Sequence, residues 1–289
     1  MIDREFCAAS YLTYRYVVKG NVGWSERCFP VYPDLVSSDQ TVVWNPDDID
    51  RSIKKQLKGC SDGKTAIMLS GGIDSAILAA YLEPGTPAYT IRFVSEGAID
   101  ESVMARKYAE KYDLDLSVID VTWDDYLSYE KALMLNKKSP LHPVEVGLYK
   151  AASAASRAGN NKLILGNGAD STFGGMDKLL SKDWSFDEFV KRYSFCNADD
   201  ILKNSAPVTE EYEKYRLGED IDYVGFLKNT HGIGIIQAFD NAISLGGCST
   251  VEPFEKMRLG PELDIGRIRS GEPKYMLYKL FKEKYPEID

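Results

Sequence analysis

The chain lacks most of the features that would tie it to a membrane, a metal cluster or a nucleic acid. No apolar run approaches the roughly 20 residues needed to span a bilayer. Its first residues, Met1-Ile2-Asp3-Arg4-Glu5-Phe6, are charged where a secretory signal would be apolar, so the expected location is the cytoplasm. The five cysteines (Cys7, Cys28, Cys60, Cys196, Cys248) are odd in number, widely scattered and free of any C-x-x-C pair. That spacing argues against a disulfide framework and against a zinc or iron–sulfur centre. Histidine is scarce, with only His142 and His231, and both are read as structural hydrogen-bonding residues. Positive charge is in deficit: 35 Lys and Arg against 44 Asp and Glu leave a net charge of −9. A nucleic-acid partner is therefore disfavoured, because such binding rests on neutralising phosphates. What is present, 44% hydrophobic and 27% charged residues over 289 positions, suits a globular protein able to bury a core without staples.

Residues 1–45 read as β-rich: Tyr11 to Val18 is dense in Tyr, Thr and Val, Gly20-Asn21 signals a turn, and Val42-Val43-Trp44 forms another short strand. Asn45-Pro46-Asp47-Asp48 has the form of a helix start, and the helix is predicted to run to about Lys58. Short apolar strands then alternate with amphipathic helices. Strands are predicted at Thr65–Leu69, Ala88–Phe93, Leu114–Val121 and Lys162–Leu165, and helices at Asp74–Tyr81, Asp100–Tyr112 and Val144–Arg157. This alternation predicts an α/β fold, a parallel sheet with helices on both faces. After about Ser181 the strand signals stop, and helices are predicted at Phe186–Tyr193, Glu210–Tyr215, Tyr223–Leu227, Ile233–Ile243 and Lys274–Tyr285.

The most informative segment is Leu69-Ser70-Gly71-Gly72-Ile73-Asp74-Ser75, where a buried strand gives way to a helix. Unpaired N–H groups and the helix dipole make such a junction an anion site. Gly71 and Gly72 let main chain approach phosphate oxygens without an intervening Cβ, and the Ser70 and Ser75 hydroxyls can donate hydrogen bonds. Asp74 would repel a bare phosphate unless Mg²⁺ lay between them. The segment matches neither a Walker A loop nor a G-x-G-x-x-G fingerprint.

Ser70–Ser75 resembles the PP-loop of ATP pyrophosphatases, and residues from roughly 45 to 285 resemble the synthetase domain of asparagine synthetase and β-lactam synthetase. Asp100-Glu101 with Ala105 and Ala109 is similar to that family's D-E-x(3)-A-x(3)-A helix. Pro143 falls where the family has a proline before its next helix. Leu165-Gly166-Asn167-Gly168-Ala169-Asp170 with Gly174-Gly175 resembles its second signature, and Pro253-Phe254 and Lys274-Tyr275-Met276-Leu277 its P-F and K-x-x-L segments. The resemblance implies an adenine nucleotide α-hydrolase-like sheet of the five-stranded type, with residues 46–180 as the nucleotide-binding domain. Residues 181–289 would then complete the substrate site.

It also implies the chemistry: a carboxylate attacks the α-phosphorus of ATP, pyrophosphate leaves, and the acyl-adenylate is captured by ammonia or an amine to give an amide. Asp74 and Asp170 would hold Mg²⁺, and Lys274 would balance charge on the α-phosphate. The adenine would lie against the strand Tyr89–Phe93, with Leu69, Thr90 and Arg92 as contacts and Gly166 and Gly168 giving close approach.

Three departures from the family stand out. Where its asparagine synthetases carry a glutaminase opening on a cysteine after Met, position 2 here is Ile2, so the expected nitrogen source is free ammonia, a substrate amine or a separate donor protein. The family carboxylate of G-[DE]-G is Asn167, its D-E pair reads Asp170-Ser171, and its E-x-R-x-P-F segment reads Ser249-Thr250-Val251-Glu252-Pro253-Phe254. Glu252 or Glu255 would substitute only by a register shift, and neither is taken as a site residue. These losses open two further readings: small-molecule sulfur transfer, with Cys196 or Cys248 as the thiol, and an adenine-nucleotide sensor that binds without turnover. The Tyr-rich N-terminus (Tyr11, Tyr14, Tyr16 and Trp24) is expected to pack as a β-layer on the core.

Overall fold

The computed structural model describes residues 1–35, 39–60 and 62–288. Its strands in chain order are β1 (Thr41–Val43), β2 (Thr65–Met68), β3 (Pro87–Phe93), β4 (Asp115–Val121), β5 (Lys162–Ile164), β6 (Arg216–Leu217), β7 (Asp220–Ile221), β8 (Ser249–Val251) and β9 (Met257–Leu259). Five of them form one wholly parallel sheet in the order β4-β3-β2-β5-β8. β2 is buried from end to end, and its alternation sends Ile67 and Leu69 into one core layer and Ala66 and Met68 into the other. In β5, Leu163 and Ile164 divide in the same way. A strand covered on both faces reads as a continuous apolar run, which is why these strands are visible in the sequence.

Helices α1 (Arg4–Tyr14), α2 (Pro46–Leu57), α3 (Ile73–Ala79), α4 (Ser102–Lys111), α5 (Trp123–Lys137), α6 (Glu145–Arg157) and α7 (Ala169–Phe173) come from the first two thirds of the chain. α2, α3, α4 and the helix Tyr275–Lys284 supply one layer through Ile49, Ile53, Ile77, Tyr108, Leu280 and Phe281. α5, α6 and the helix Ile233–Leu245 supply the other through Leu133, Leu148, Ala151 and Ala242. The start of α2 is as expected, with Asn45 accepting from the Asp48 N–H and Pro46 opening the helix.

Two expectations need correction. Residues 1–45 are not β-rich: of the stretch from Tyr11 to Val18, Tyr11–Tyr14 belong to α1 and the rest lies in no strand, and β1 is the one strand of that segment among the described residues. Asp3 caps α1 by accepting from the Phe6 N–H, and the helix buries Phe6, Cys7, Ala9, Ser10, Thr13 and Tyr14. It packs beside Phe186, Phe189, Tyr212 and Phe226 rather than forming a β-layer on the sheet. Burial of that face outweighs the β-preference of its Tyr and Thr residues. Nor do strands stop at Ser181, since β8 returns to the sheet edge and pairs Ser249 with Lys162 and Val251 with Ile164. Three residues ahead of a proline carry too little alternation to register as a strand. Among the described residues no helix is long and apolar enough to cross a membrane.

Candidate active site

In the sheet, β2 continues outward to β3 on one side and to β5 on the other, so the chain order reverses between β2 and β5. The loops leaving the carboxyl ends of these two strands must diverge, and the crevice between them is where parallel sheets place ligands. The loop after β2 is Leu69–Gly72 and the loop after β5 is Leu165–Gly168. The second touches the start of α3, to which the first leads: a Cβ on Gly166 would stand 2.9 Å from the Ser75 nitrogen and 3.2 Å from the Asp74 Cβ.

The first loop is held by its own hydroxyls. Ser75 Oγ accepts from the Ser70 N–H at 3.0 Å and lies 3.0 Å from Ser70 Oγ, which itself accepts from the Gly72 N–H at 3.2 Å. Ser75 is buried and occupied in shaping the loop, while Ser70 is exposed. Neither glycine uses left-handed backbone. Gly71 is instead closely packed, since a Cβ there would stand 3.2 Å from the Glu101 carbonyl oxygen. Ser70 is thus exposed at the mouth of the loop, and the Ser75 hydroxyl is occupied in the loop's own hydrogen bonds.

Asp74 opens α3 and Asp170 opens α7. Lys274 Nζ lies 2.6 Å from Asp74 Oδ2 and 2.6 Å from Asp170 Oδ1, joining three residues far apart in the chain. Burial works against the ammonium, but the two carboxylates outweigh it and hold the Lys274 pKa above its ordinary value. Burial pushes the Asp74 carboxyl upward, with Lys274 opposing and Asp170 adding to the push. Asp74 Oδ1 is buried and has no hydrogen-bond partner. Lys274 itself has φ 51° and ψ 33° just ahead of its helix, an uncommon conformation for a side-chain-bearing residue. Gly175 lies against the pair, and a Cβ there would overlap Asp170 Oδ1 and Lys274 Cε.

A cavity of about 480 Å³ opens beside this triad, and Leu69, Ser70, Asp74, Ser75, Thr90, Gly166, Gly168 and Asp170 all line it. Ile91 and Phe93 on β3, Leu148 on α6 and Ile235, Ile236 and Phe239 on the helix Ile233–Leu245 give it an apolar wall. Arg92 does not line it. Its guanidinium turns to the neighbouring strand and holds Asp120 through two hydrogen bonds of 2.6 and 2.8 Å, so Arg92 is withdrawn as a nucleotide contact. Cys196 and Cys248 are also absent from the lining. The Cys248 thiol is buried against the Ala152 and Asn160 carbonyls, and burial raises its pKa.

Glu255 does line the cavity, although it carries no motif to mark it. It packs against Gly168, whose φ of 86° and missing Cβ leave room for the carboxylate and the Glu255 nitrogen. Glu252 accepts from Asn167 Nδ2 at 2.7 Å. Burial pushes both glutamates up to about 7, and Asp240 adds to each shift. Two carboxyls that titrate near neutrality thus stand where the family acid has become Asn167.

The family model for asparagine synthase matches residues 47–229, more than half of the chain. The chain belongs to the asparagine synthase family. This membership marks the protein as an ATP-using ligase of the PP-loop type and accounts for the five-stranded sheet and for both loops at its switch point. No curated protein sequence matches the chain. Among solved structures it is similar to an NH3-dependent NAD synthetase from Campylobacter jejuni, with 18% identity over 66% of this chain and 93% of that one, at a TM-score of 0.33. That score is too low to bear on the site of this asparagine synthase family member.

Proposed function

We propose that the protein is an AMP- and pyrophosphate-forming ligase that adenylates a small-molecule carboxylate and joins it to ammonia or an amine. The observation that carries this reading is the meeting of Asp74, Asp170 and Lys274 at the carboxyl edge of the sheet, beside a cavity large enough for a nucleotide and a small acid. The nucleotide's adenine fits the apolar wall near Thr90 and Ile91, and its phosphates the loop Ser70–Ser75 and the second loop at Gly166 and Gly168.

Negative charge accumulating on the triphosphate is the main obstacle to the first step, and preorganised cations lower it. Lys274, kept protonated by its two carboxylates, is placed to transfer its interaction to the α-phosphate and the acyl intermediate. Asp74 and Asp170 fit Mg²⁺. Asp74 Oδ1 is buried without a partner, and Asp170 supplies a second carboxylate at the same ammonium. That is the donor set expected of a cation that takes one or two carboxylates plus phosphate oxygens. When bound it would neutralise charge on the departing pyrophosphate.

For the second step, the nucleophile must lose a proton, and Glu255 is the cavity carboxyl able to take it near pH 7. Glu252, tied to Asn167, supports the loop beside it. Sulfur transfer finds no thiol on the cavity wall. The test is pyrophosphate release across a panel of small acids with ammonia or amines as co-substrate. Amine-dependent release, lost in Asp74→Asn with the fold retained, is the expected result. ATP binding without turnover on any acid and amine would refute the ligase reading.

A further inference from the structure

Three residues, His231, Gly232 and Ile235, line both the nucleotide cavity and a second cavity of about 480 Å³ beside it, and His231 is the only one of them with a polar side chain. The chain fixes it at that junction. Its N–H donates to the Leu227 carbonyl at the close of the helix Tyr223–Thr230. Gly232 then turns the chain with φ 98° into the helix Ile233–Leu245, a left-handed conformation that glycine adopts without strain.

The ring is oriented by Tyr193, whose Oη lies 3.3 Å from His231 Nδ1. Tyr193 is held by Phe189, stacked against it, and by Phe226, edge-on with ring centroids 4.7 Å apart. Among the described residues, His231 Nδ1 is the one acceptor within reach of the Tyr193 hydroxyl. The hydroxyl therefore donates to it, and the ring proton sits on Nε2. Burial lowers the His231 pKa, with Asp170 opposing and Arg15 adding to the fall, so the imidazole is neutral. His142 differs, since Arg15 Nη1 meets its Nε2 and the Val144 N–H meets its Nδ1. For His231 only Nδ1 has a protein partner among the described residues, and Nε2 is not a buried, unpartnered atom. The Nε2–H is left for a ligand. Asp170, within electrostatic reach of the ring, lies 2.6 Å from the Lys274 ammonium, so this donor belongs to the same reacting centre.

We propose that His231 is a further catalytic residue, whose Nε2–H donates to the acceptor oxygen that does not attack ATP and holds that oxygen as it becomes an oxyanion. The amine lone pair adds to the acyl carbon, and the carbonyl π pair moves onto the oxygen that His231 binds. Re-forming the carbonyl expels AMP with the electron pair of the acyl–phosphate bond, and the proton of the amine passes to Glu255. His231 keeps its own proton throughout, and the Tyr193 hydroxyl keeps that proton on the nitrogen that faces the ligand. The inference rests on the ligase reading for the reaction, but the tautomer and the contact with a carboxylate require no turnover.

Magnetic resonance of the full chain carrying ring-nitrogen-labelled histidine tests it, with His142 and His231, the only histidines, told apart by His142→Gln. In the wild type the His231 proton should sit on Nε2, and acetate added with Mg-ATP should shift that resonance saturably where chloride at equal ionic strength does not. Tyr193→Phe should mix the two tautomers and weaken the acetate response. On the panel acid giving most pyrophosphate release, His231→Phe should lower amide formation by about 10²-fold, as for loss of one oxyanion donor. ATP–pyrophosphate exchange should stay within about tenfold, the scale of one ordinary hydrogen bond. His231→Gln, which restores an N–H donor, should recover part of the loss. A proton on Nδ1 in the wild type, an Nε2 resonance indifferent to acetate, or equal losses in the Phe and Gln variants overturns the proposal. The wild-type spectra keep the test decisive should a variant fail to fold. The stated tautomer and acetate response without pyrophosphate release on any acid would leave the donor site standing and sink the ligase reading alone.

Discussion

Cε of Lys274 occupies the space that a side chain on Gly175 would need. The glycine is not there for backbone freedom, since its φ lies outside the left-handed region. It is there so that a lysine from far along the chain can pass the turn after α7 and reach Asp170 and Asp74. Gly175→Ala should push Lys274 or Asp170 out of place while leaving the sheet intact. Pyrophosphate release should fall by about 10²-fold or more, the usual penalty for an ångström of misplacement at a reacting centre. Steady-state kinetics beside a thermal melt checks this. Near-normal turnover in a folded Gly175→Ala protein would show that the triad tolerates the displacement.

Lys274→Met removes the only cation joining Asp74 and Asp170 in this triad. Turnover should fall by about 10²–10³-fold, as for loss of one preorganised charge-stabilising group. The loss should sit mainly in kcat, because the lysine interacts most strongly with charge that develops during the reaction. A rise in KM alone would demote Lys274 to a binding residue.

Arg92 gives the opposite expectation. Its register partner across the sheet is Asp120, and the guanidinium is spent on that exposed pair. Arg92→Ala should leave the KM for ATP within about twofold of wild type, as expected of an exposed ion pair remote from the ligand. A loss of tenfold or more would return Arg92 to the nucleotide site.

The sheet and triad were readable because each is encoded locally. β2 and β5 announce themselves as apolar runs, and Asp74, Asp170 and Lys274 sit inside spaced motifs. Arg92 shares its alternating set on β3 with Thr90, which lines the cavity; it is drawn away by Asp120 on the neighbouring strand, a partner that alternation along one strand does not reveal. α1 was misread because its apolar face is explained only by Phe186 and Phe226, residues far along the chain. α5 did carry a signal, the capping box of Thr122 and Asp125, which the strand-helix alternation did not use. Glu255 had no local mark, because its place depends on burial beside Gly168.

Glu255 should act on the second step and not the first. Glu255→Gln keeps the size of the side chain against Gly168 but cannot accept a proton. ATP–pyrophosphate exchange with the acceptor acid should therefore persist, while amide formation drops by about 10²–10⁴-fold. In the wild type, amide formation should rise with pH through about 7 as this carboxyl ionises, and the variant should lose that limb. Equal losses in exchange and amide formation would point to a structural role.

The same carboxyls should leave a mark on stability. Glu252 and Glu255 titrate near 7 in the folded chain because burial disfavours their charged forms, with Asp240 adding repulsion and Lys256 opposing it. In the unfolded chain they return to the ordinary value near 4.5. Below that value both states hold the protons, and the contribution to stability is fully present. As pH rises toward and through 7, the unfolded chain has already ionised while the folded chain must ionise buried groups, so the contribution is lost. Unfolding free energy from urea titrations should accordingly fall between pH 5 and pH 8 by an amount on the order of 2–3 kcal/mol for each glutamate. Glu255→Gln has no proton to lose. Its profile should be flatter than wild type, and at pH 8 it should be the more stable of the two. Parallel profiles for the two proteins would mean that Glu255 ionises in the folded chain as readily as in water, and the environment assigned to it beside Gly168 would be wrong.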